Sequence, residues 1–229
     1  MATFLLAHGA WNGGWAWRKL RPLMQAAGHD FWTPTYTGLG ERAHLAHRGI
    51  DLDTHIGDIM GVIEAEELQN IVLVGHSYGG MVATAVADRA RDRVQRLIYV
   101  DAFAPRDGDS VASLLPMMDI PDPEAGPDWL VDPAPLSPDF SDADVAWSLR
   151  HRMPHPAGCF RQPVRLQAEP SCSRHYIYAL HCGPVDRFGP FRDRARTEPG
   201  WTLTEMDCTH SPNITAPQQL FDLLDGFAD

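Results

Sequence analysis

The 229-residue chain has few cysteines, no surplus of positive charge and no long apolar run. Cys159, Cys172, Cys182 and Cys208 are scattered, with no Cys-x-x-Cys pair. That spacing argues against a metal site, and so few thiols in a chain of this size argue against a disulfide framework. Lys and Arg number 19 against 30 Asp and Glu, a net charge of −11, so neither nucleic acid nor an anionic membrane is an expected partner. With no stretch of 18 apolar residues, no membrane-spanning helix is expected. Met1 to Leu6 lacks the basic start of a secretion leader, so a cytoplasmic location is expected and the sequon Asn213-Ile214-Thr215 is read as chance. Repeats and low-complexity tracts are also missing.

What is present is an ordinary globular composition, 44% hydrophobic and 21% charged, long enough for one well-buried core. A single domain over 1–229 is therefore expected. Apolar strands are predicted at Thr3–Ala7, Asp30–Pro34, Ile71–Val74, Val94–Val100, Arg174–Leu180 and Trp201–Met206. Helices are predicted at Trp15–Ala27, Leu52–Glu67, Met81–Arg89, Asp186–Arg196 and Ala216–Phe227. This alternation predicts an α/β fold: a mostly parallel six-stranded sheet with helices on both faces. Between about 105 and 163 prolines are frequent and strand signals vanish, with only Asp139–Arg152 helical. Leu114, Leu115, Trp129, Leu130, Phe140, Trp147 and Leu149 in that stretch need apolar cover, so it reads as a small cap insertion rather than a linker.

The chemistry centres on Val72-Leu73-Val74-Gly75-His76-Ser77-Tyr78-Gly79-Gly80. A strand, Gly-x-Ser-x-Gly, then a small-residue helix start is the pattern of a nucleophile elbow, which pushes a serine hydroxyl into a cleft. A serine is a weak nucleophile without a base. His210 stands between the last strand and the last helix, where that base belongs; His76 is read as a packing or hydrogen-bonding residue under the elbow. The oxyanion donors are expected to be the amides of Tyr78 and of Ala10, in the loop His8-Gly9-Ala10-Trp11-Asn12-Gly13-Gly14. Those glycines fit neither a dinucleotide fingerprint nor a P-loop. Gly9, Trp11, Phe103, Trp129 and Trp147 are the expected substrate-facing residues, each aromatic being equally readable as core.

His8-Gly9-Ala10, Gly38-Leu39-Gly40-Glu41-Arg42, Gly75 to Met81, Asp101-Ala102-Phe103 and His210 together resemble the α/β-hydrolases of the methyl salicylate esterase and hydroxynitrile lyase branch, with their bacterial esterase relatives. The resemblance covers essentially the whole chain. It implies an α/β-hydrolase fold whose sheet begins at the family's third strand, a small cap, a site at the C-terminal strand ends and no cofactor. It also implies a triad acid after the penultimate strand, where this chain carries Cys182. Two aspartates can substitute. Asp101 ends the strand after the nucleophile helix and needs no rearrangement, and is preferred; Asp186 lies four residues past Cys182 and needs a bulged loop. Their alternative roles are a strand-end hydrogen bond and a helix N-cap.

The threonine-type lyases of this branch carry a threonine where Gly9 stands, and a lysine after the histidine, where this chain has Ser211. The expected function is therefore a serine carboxylesterase acting on a small neutral ester through an acyl-enzyme. A hydroxynitrile lyase, an amide or lactone hydrolase, and a slow ligand-binding receptor are the alternatives. The expected partner is a small-molecule ester, and a homodimer stays open.

Overall fold

The computed structural model describes residues 1–182 and 185–228. The chain runs β1 (Thr3–Ala7), α1 (Arg21–Ala26), β2 (Asp30–Trp32), α2 (Leu52–Ala65), β3 (Ile71–His76), α3 (Gly79–Arg89) and β4 (Val94–Val100). The next segment holds α4 (Val111–Leu114), β5 (Leu130–Val131), α5 (Asp142–His151), β6 (His155–Pro156) and α6 (Gly158–Arg161). The chain closes with β7 (Ser173–Ala179), α7 (Gly189–Thr197), β8 (Trp201–Met206), α8 (Pro212–Thr215) and α9 (Pro217–Asp225). Six strands form one sheet in the order β2-β1-β3-β4-β7-β8, every pair parallel. β5 and β6 pair antiparallel by themselves, within the stretch read as the cap.

Period-two alternation decides which helix covers which face. Leu5, Leu73, Leu97 and Tyr99 point to one side with α2 and α3; Phe4, Leu6, Val72, Val74, Ile98 and Val100 point to the other, against Trp17, Leu20, Met24, Leu220 and Leu224. The central strands are buried on both faces, which is why they read as unbroken apolar runs. Full burial of each such side chain is worth about 1.5–3 kcal/mol.

The sequence boundaries shift where proline intervenes. The helix expected over Trp15–Ala27 is a 3-10 turn at Gly14–Trp17 followed by α1, because Pro22 has no N–H to give a helix interior and sits in its first turn instead. Pro190 opens α7 the same way, three residues later than expected; α9 begins at Pro217, one residue past the expected start, and is preceded by α8, a short helix not expected from sequence. β2 stops at Trp32, short of Pro34. The expected cap helix is present as α5, with Ser141 accepting from the Asp144 amide at its N-terminus, 3.2 Å.

α3 also anchors the approach to β7. Asp88 is buried and accepts from Arg91 and from the amides of Gln167 (2.7 Å) and Ala168 (3.3 Å). Burial by itself would raise its pKa, but these donors outweigh it and hold the carboxyl below its ordinary value. A depressed folded-state pKa contributes stability above the unfolded value and loses it as pH falls through the folded one. Unfolding free energy is therefore expected to decline as pH drops below about 4. Asp88→Asn is expected to cost about 1–3 kcal/mol at neutral pH and to flatten part of that decline. Urea titrations of both proteins at stepped pH measure it.

Candidate active site

β3 ends at His76 and α3 begins at Gly79, so the chain reverses within two residues. Ser77 takes the strain, with φ of 55°, a left-handed conformation rare for a residue with a side chain. The turn can pack this tightly because its neighbours lack Cβ atoms. A Cβ on Gly79 would lie 2.0 Å from the Ala7 carbonyl oxygen, and one on Gly80 1.9 Å from that of Phe103.

The Ser77 hydroxyl lies 2.9 Å from His210 Nε2, and His210 Nδ1 lies 2.5 Å from Asp101 Oδ2. A carboxylate only accepts, so Nδ1 carries the ring proton and Nε2 presents its lone pair to the serine. Asp101 lies just past the end of β4 and is fully buried, itself at φ 42°. Its Oδ1 accepts from the Ala179 amide at 3.3 Å, and its Oδ2 also accepts from the Cys182 thiol at 2.9 Å. The structure thus joins Ser77, His210 and Asp101. Asp186 stands apart from this line: its Oδ1 accepts from the Gly189 amide at 2.6 Å at the start of α7, and Oδ2 faces Arg192 at 3.5 Å. This is the helix-start role open to it from sequence. Cys182, where the resemblance placed an acid, is instead a donor to Asp101.

His76 takes the hydrogen-bonding role, one of the two read for it from sequence. Its Nε2 lies 2.7 Å from the His210 carbonyl oxygen; a carbonyl can only accept, so Nε2 is the protonated nitrogen. Burial, assisted by the neighbouring His210, lowers its pKa to about 3, so the ring is neutral at working pH. Ala10 and Tyr78 border the same cavity as Ser77, and neither backbone amide has a hydrogen-bond partner among the described residues. They are free to face a developing oxyanion.

That cavity holds about 1410 Å³ between the strand ends and the segment 111–140. Its volume exceeds the roughly 300–1,000 Å³ of ordinary ligand pockets, so it leaves room for an aromatic group beside the reacting carbonyl. Trp11, Phe103 and Trp129 line it as expected. Trp147 does not: it packs edge-on against Trp15 at 5.2 Å under the Arg18 guanidinium, although its neighbour Ser148 lines the cavity. Gly9 does not line it either. It lies beneath the serine, where an added Cβ would meet His76 Nδ1 at 2.9 Å and Ser77 Cβ at 3.1 Å, so the lyase-type threonine has no space. Sequence reasoning missed Phe188, whose ring stacks on the His210 imidazole at 5.0 Å and 8°. Only its aromatic character just past Asp186 hinted at it.

Two groups carry metal-type donors among the described residues: His55, His155 and Cys159, and Asp101, Cys182 and His210. The first is sealed in the core. The second includes part-exposed groups beside the cavity.

The His76 bond has a measurable consequence. His76→Phe keeps a ring of similar size but removes the donor to the His210 carbonyl. Loss of one such bond, about 0.5–1.5 kcal/mol, is expected to lower kcat by roughly 2- to 13-fold with KM little changed. Steady-state kinetics on a chromogenic ester check it.

Residues 4–223 match the model of the alpha/beta hydrolase family. The chain is 38% identical to the carbendazim hydrolyzing esterase of Nocardioides sp. (strain SG-4G), with 98% of each covered. It is 34% identical to methylesterase 2 of Arabidopsis thaliana over a shorter stretch, 44% of this chain and 40% of that one. Among solved structures, an extracellular alpha/beta-hydrolase from a Paenibacillus species superposes with a TM-score of 0.80 at 22% identity, covering 98% of each chain. The chain belongs to the alpha/beta hydrolase family and is a carboxylesterase-type serine hydrolase.

Proposed function

We propose that this esterase cleaves neutral esters of flat aromatic groups, with Ser77, His210 and Asp101 as its triad. The observation that carries the reading is the unbroken line from Asp101 through His210 to Ser77, at 2.5 and 2.9 Å, opening into an aromatic-lined cavity. Ser77 attacks the carbonyl as His210 Nε2 takes its proton. Asp101 steadies the imidazolium, and the Ala10 and Tyr78 amides hold the oxyanion. His210 returns the proton to the departing alcohol, and water then releases the acid by the reverse sequence. Trp11, Phe103 and Trp129 offer apolar faces for the acyl or alcohol group. Asp119, Asp128 and Asp132 on the cavity wall outnumber Arg152 and Arg187 there, a weak bias against an anionic substrate. The carbendazim esterase adds support from its name, since carbendazim is a neutral aromatic methyl carbamate.

Hydrolysis of a panel of aryl acetates, aromatic methyl esters and aromatic methyl carbamates tests this. Uncharged aromatic members are expected to outpace carboxylate-bearing ones in kcat/KM. Ser77→Ala should abolish turnover, and Asp101→Asn should lower kcat by about 10²–10⁴-fold. Asp186→Asn is expected to stay within a few fold of wild type, roughly what loss of one exposed helix-start bond allows. Ser77→Ala activity equal to wild type would overturn the reading, as would a larger loss at Asp186 than at Asp101.

A further inference from the structure

The thiol that stands where the family acid is expected is placed to do something a carboxylate there would not. Cys182 Sγ donates to Asp101 Oδ2 at 2.9 Å, and His210 Nδ1 donates to the same oxygen at 2.5 Å. One donor atom from each of the three residues lies within 4.8 Å of the others. Thiolate, imidazole and carboxylate are the ligand types that zinc and its softer congeners take together. Bond lengths of 2.0–2.3 Å put neighbouring ligand atoms about 3.3–3.5 Å apart around a tetrahedral ion, so the hydrogen-bonded donors need to part by less than about an ångström. Cys182 and His210 border the substrate cavity, which supplies an entry path and room for a water as fourth ligand.

We propose that Asp101, Cys182 and His210 form an inhibitory site for a soft or borderline divalent cation, of the zinc and cadmium class, which switches the esterase off from behind its base. The protons balance simply. The Cys182 thiol loses its proton to solvent as the metal–sulfur bond forms. The His210 imidazole stays neutral but moves its proton from Nδ1, now bound to metal, to Nε2. One proton is released per ion and nothing is oxidised or reduced. With Nε2 protonated, the imidazole has no lone pair for the Ser77 hydroxyl, and the Asp101 carboxylate no longer orients it. Burial and the adjacent Asp101 charge push the Cys182 thiol far above its ordinary pKa, so the free thiol is a poor nucleophile, and a cation offsets both effects.

This site rests on the triad assigned above, so its test reads metal directly as well as activity. The probe is Cd²⁺, whose thiolate complexes absorb in the ultraviolet. Wild type should bind one equivalent with a new Cd–thiolate band, lose activity in step, and recover on chelation. Ser77→Ala should bind with the same band, which separates the site from any failure of the esterase reading. Cys182→Ser should lose the band and raise the inhibitory midpoint by roughly tenfold or more, as expected when the soft ligand of a three-ligand site is removed. Should Cys182→Ser fold poorly, His210→Ala, which keeps every thiol, should weaken Cd²⁺ binding at least about tenfold. Cys172→Ser, at the other part-exposed thiol, should behave as wild type in both readouts. The proposal falls if no band forms, if the band follows Cys172 rather than Cys182, or if binding is unchanged in both Cys182→Ser and His210→Ala.

Discussion

The bond between Asp101 and His210 is the constraint on which the rest of the site depends. A fully buried carboxylate is costly unless its lone pairs are met, and Asp101 is met from three directions: by His210, by the Ala179 amide and by the Cys182 thiol. Two of those donors come from β7 and the residues just beyond it. They reach Asp101 only because β4 and β7 are neighbours in the sheet, although more than 70 residues separate them in sequence. Sheet order therefore solvates the acid, the acid orients the base, and the base activates the serine. The cap insertion between β4 and β7 leaves this intact because it does not disturb their pairing.

The underside of the elbow is held by imidazoles kept neutral. His8, His55 and His76 each have a pKa lowered by burial to about 3, and burial holds His155 well below its ordinary value too. Their hydrogen bonds form a frame around the nucleophile. His8 Nε2 accepts from the Tyr36 amide, leaving Nδ1 to donate to the Gly9 carbonyl, which fixes the turn before Ala10. His55 Nε2 donates to the Thr37 carbonyl, so Nδ1 accepts from the Tyr78 hydroxyl and pins the residue after the serine. A charged ring in this frame would repel the developing imidazolium of His210; neutral rings supply direction without that opposing charge.

How much of this was legible in the sequence follows from which facts are local. The elbow is local: a strand, two small residues around Ser77 and a helix start within ten positions, and the structure agrees with it closely. His210 was legible because its position between the last strand and the last helix is a matter of element order. The acid was legible only as a preference: Asp101 ends its strand and needs no rearrangement, but setting Asp186 aside requires knowing that β4 lies beside β7 and that Asp186 is engaged at the start of α7. Trp147 and Trp129 look alike in sequence, yet one packs on Trp15 and the other faces the cavity. An aromatic residue carries no mark of which neighbour it will meet. The missed starts at Pro22 and Pro190 were local, and the missing N–H was the available signal.

Trp11 ties the oxyanion loop to the cap, and that tie bears on how substrate choice and catalysis are linked. Its φ of 64° turns the loop immediately after Ala10. Its amide donates to His155 Nδ1 at 3.3 Å, its indole N–H to the Val131 carbonyl at 2.9 Å, and its carbonyl accepts from the Met153 amide at 3.2 Å. All three partners lie in the segment between β4 and β7, two of them in the β5–β6 pair. A cap held only by apolar contact could slide over the sheet without disturbing the amide at Ala10. Here, displacement of the β5–β6 pair must either break these bonds or shift the residue beside an oxyanion donor. Cap position and oxyanion geometry are therefore mechanically joined at one residue. Contacts that hold the β5–β6 pair in place thus act on the residue beside Ala10 as well, a link through which remote binding energy can be turned into rate rather than affinity.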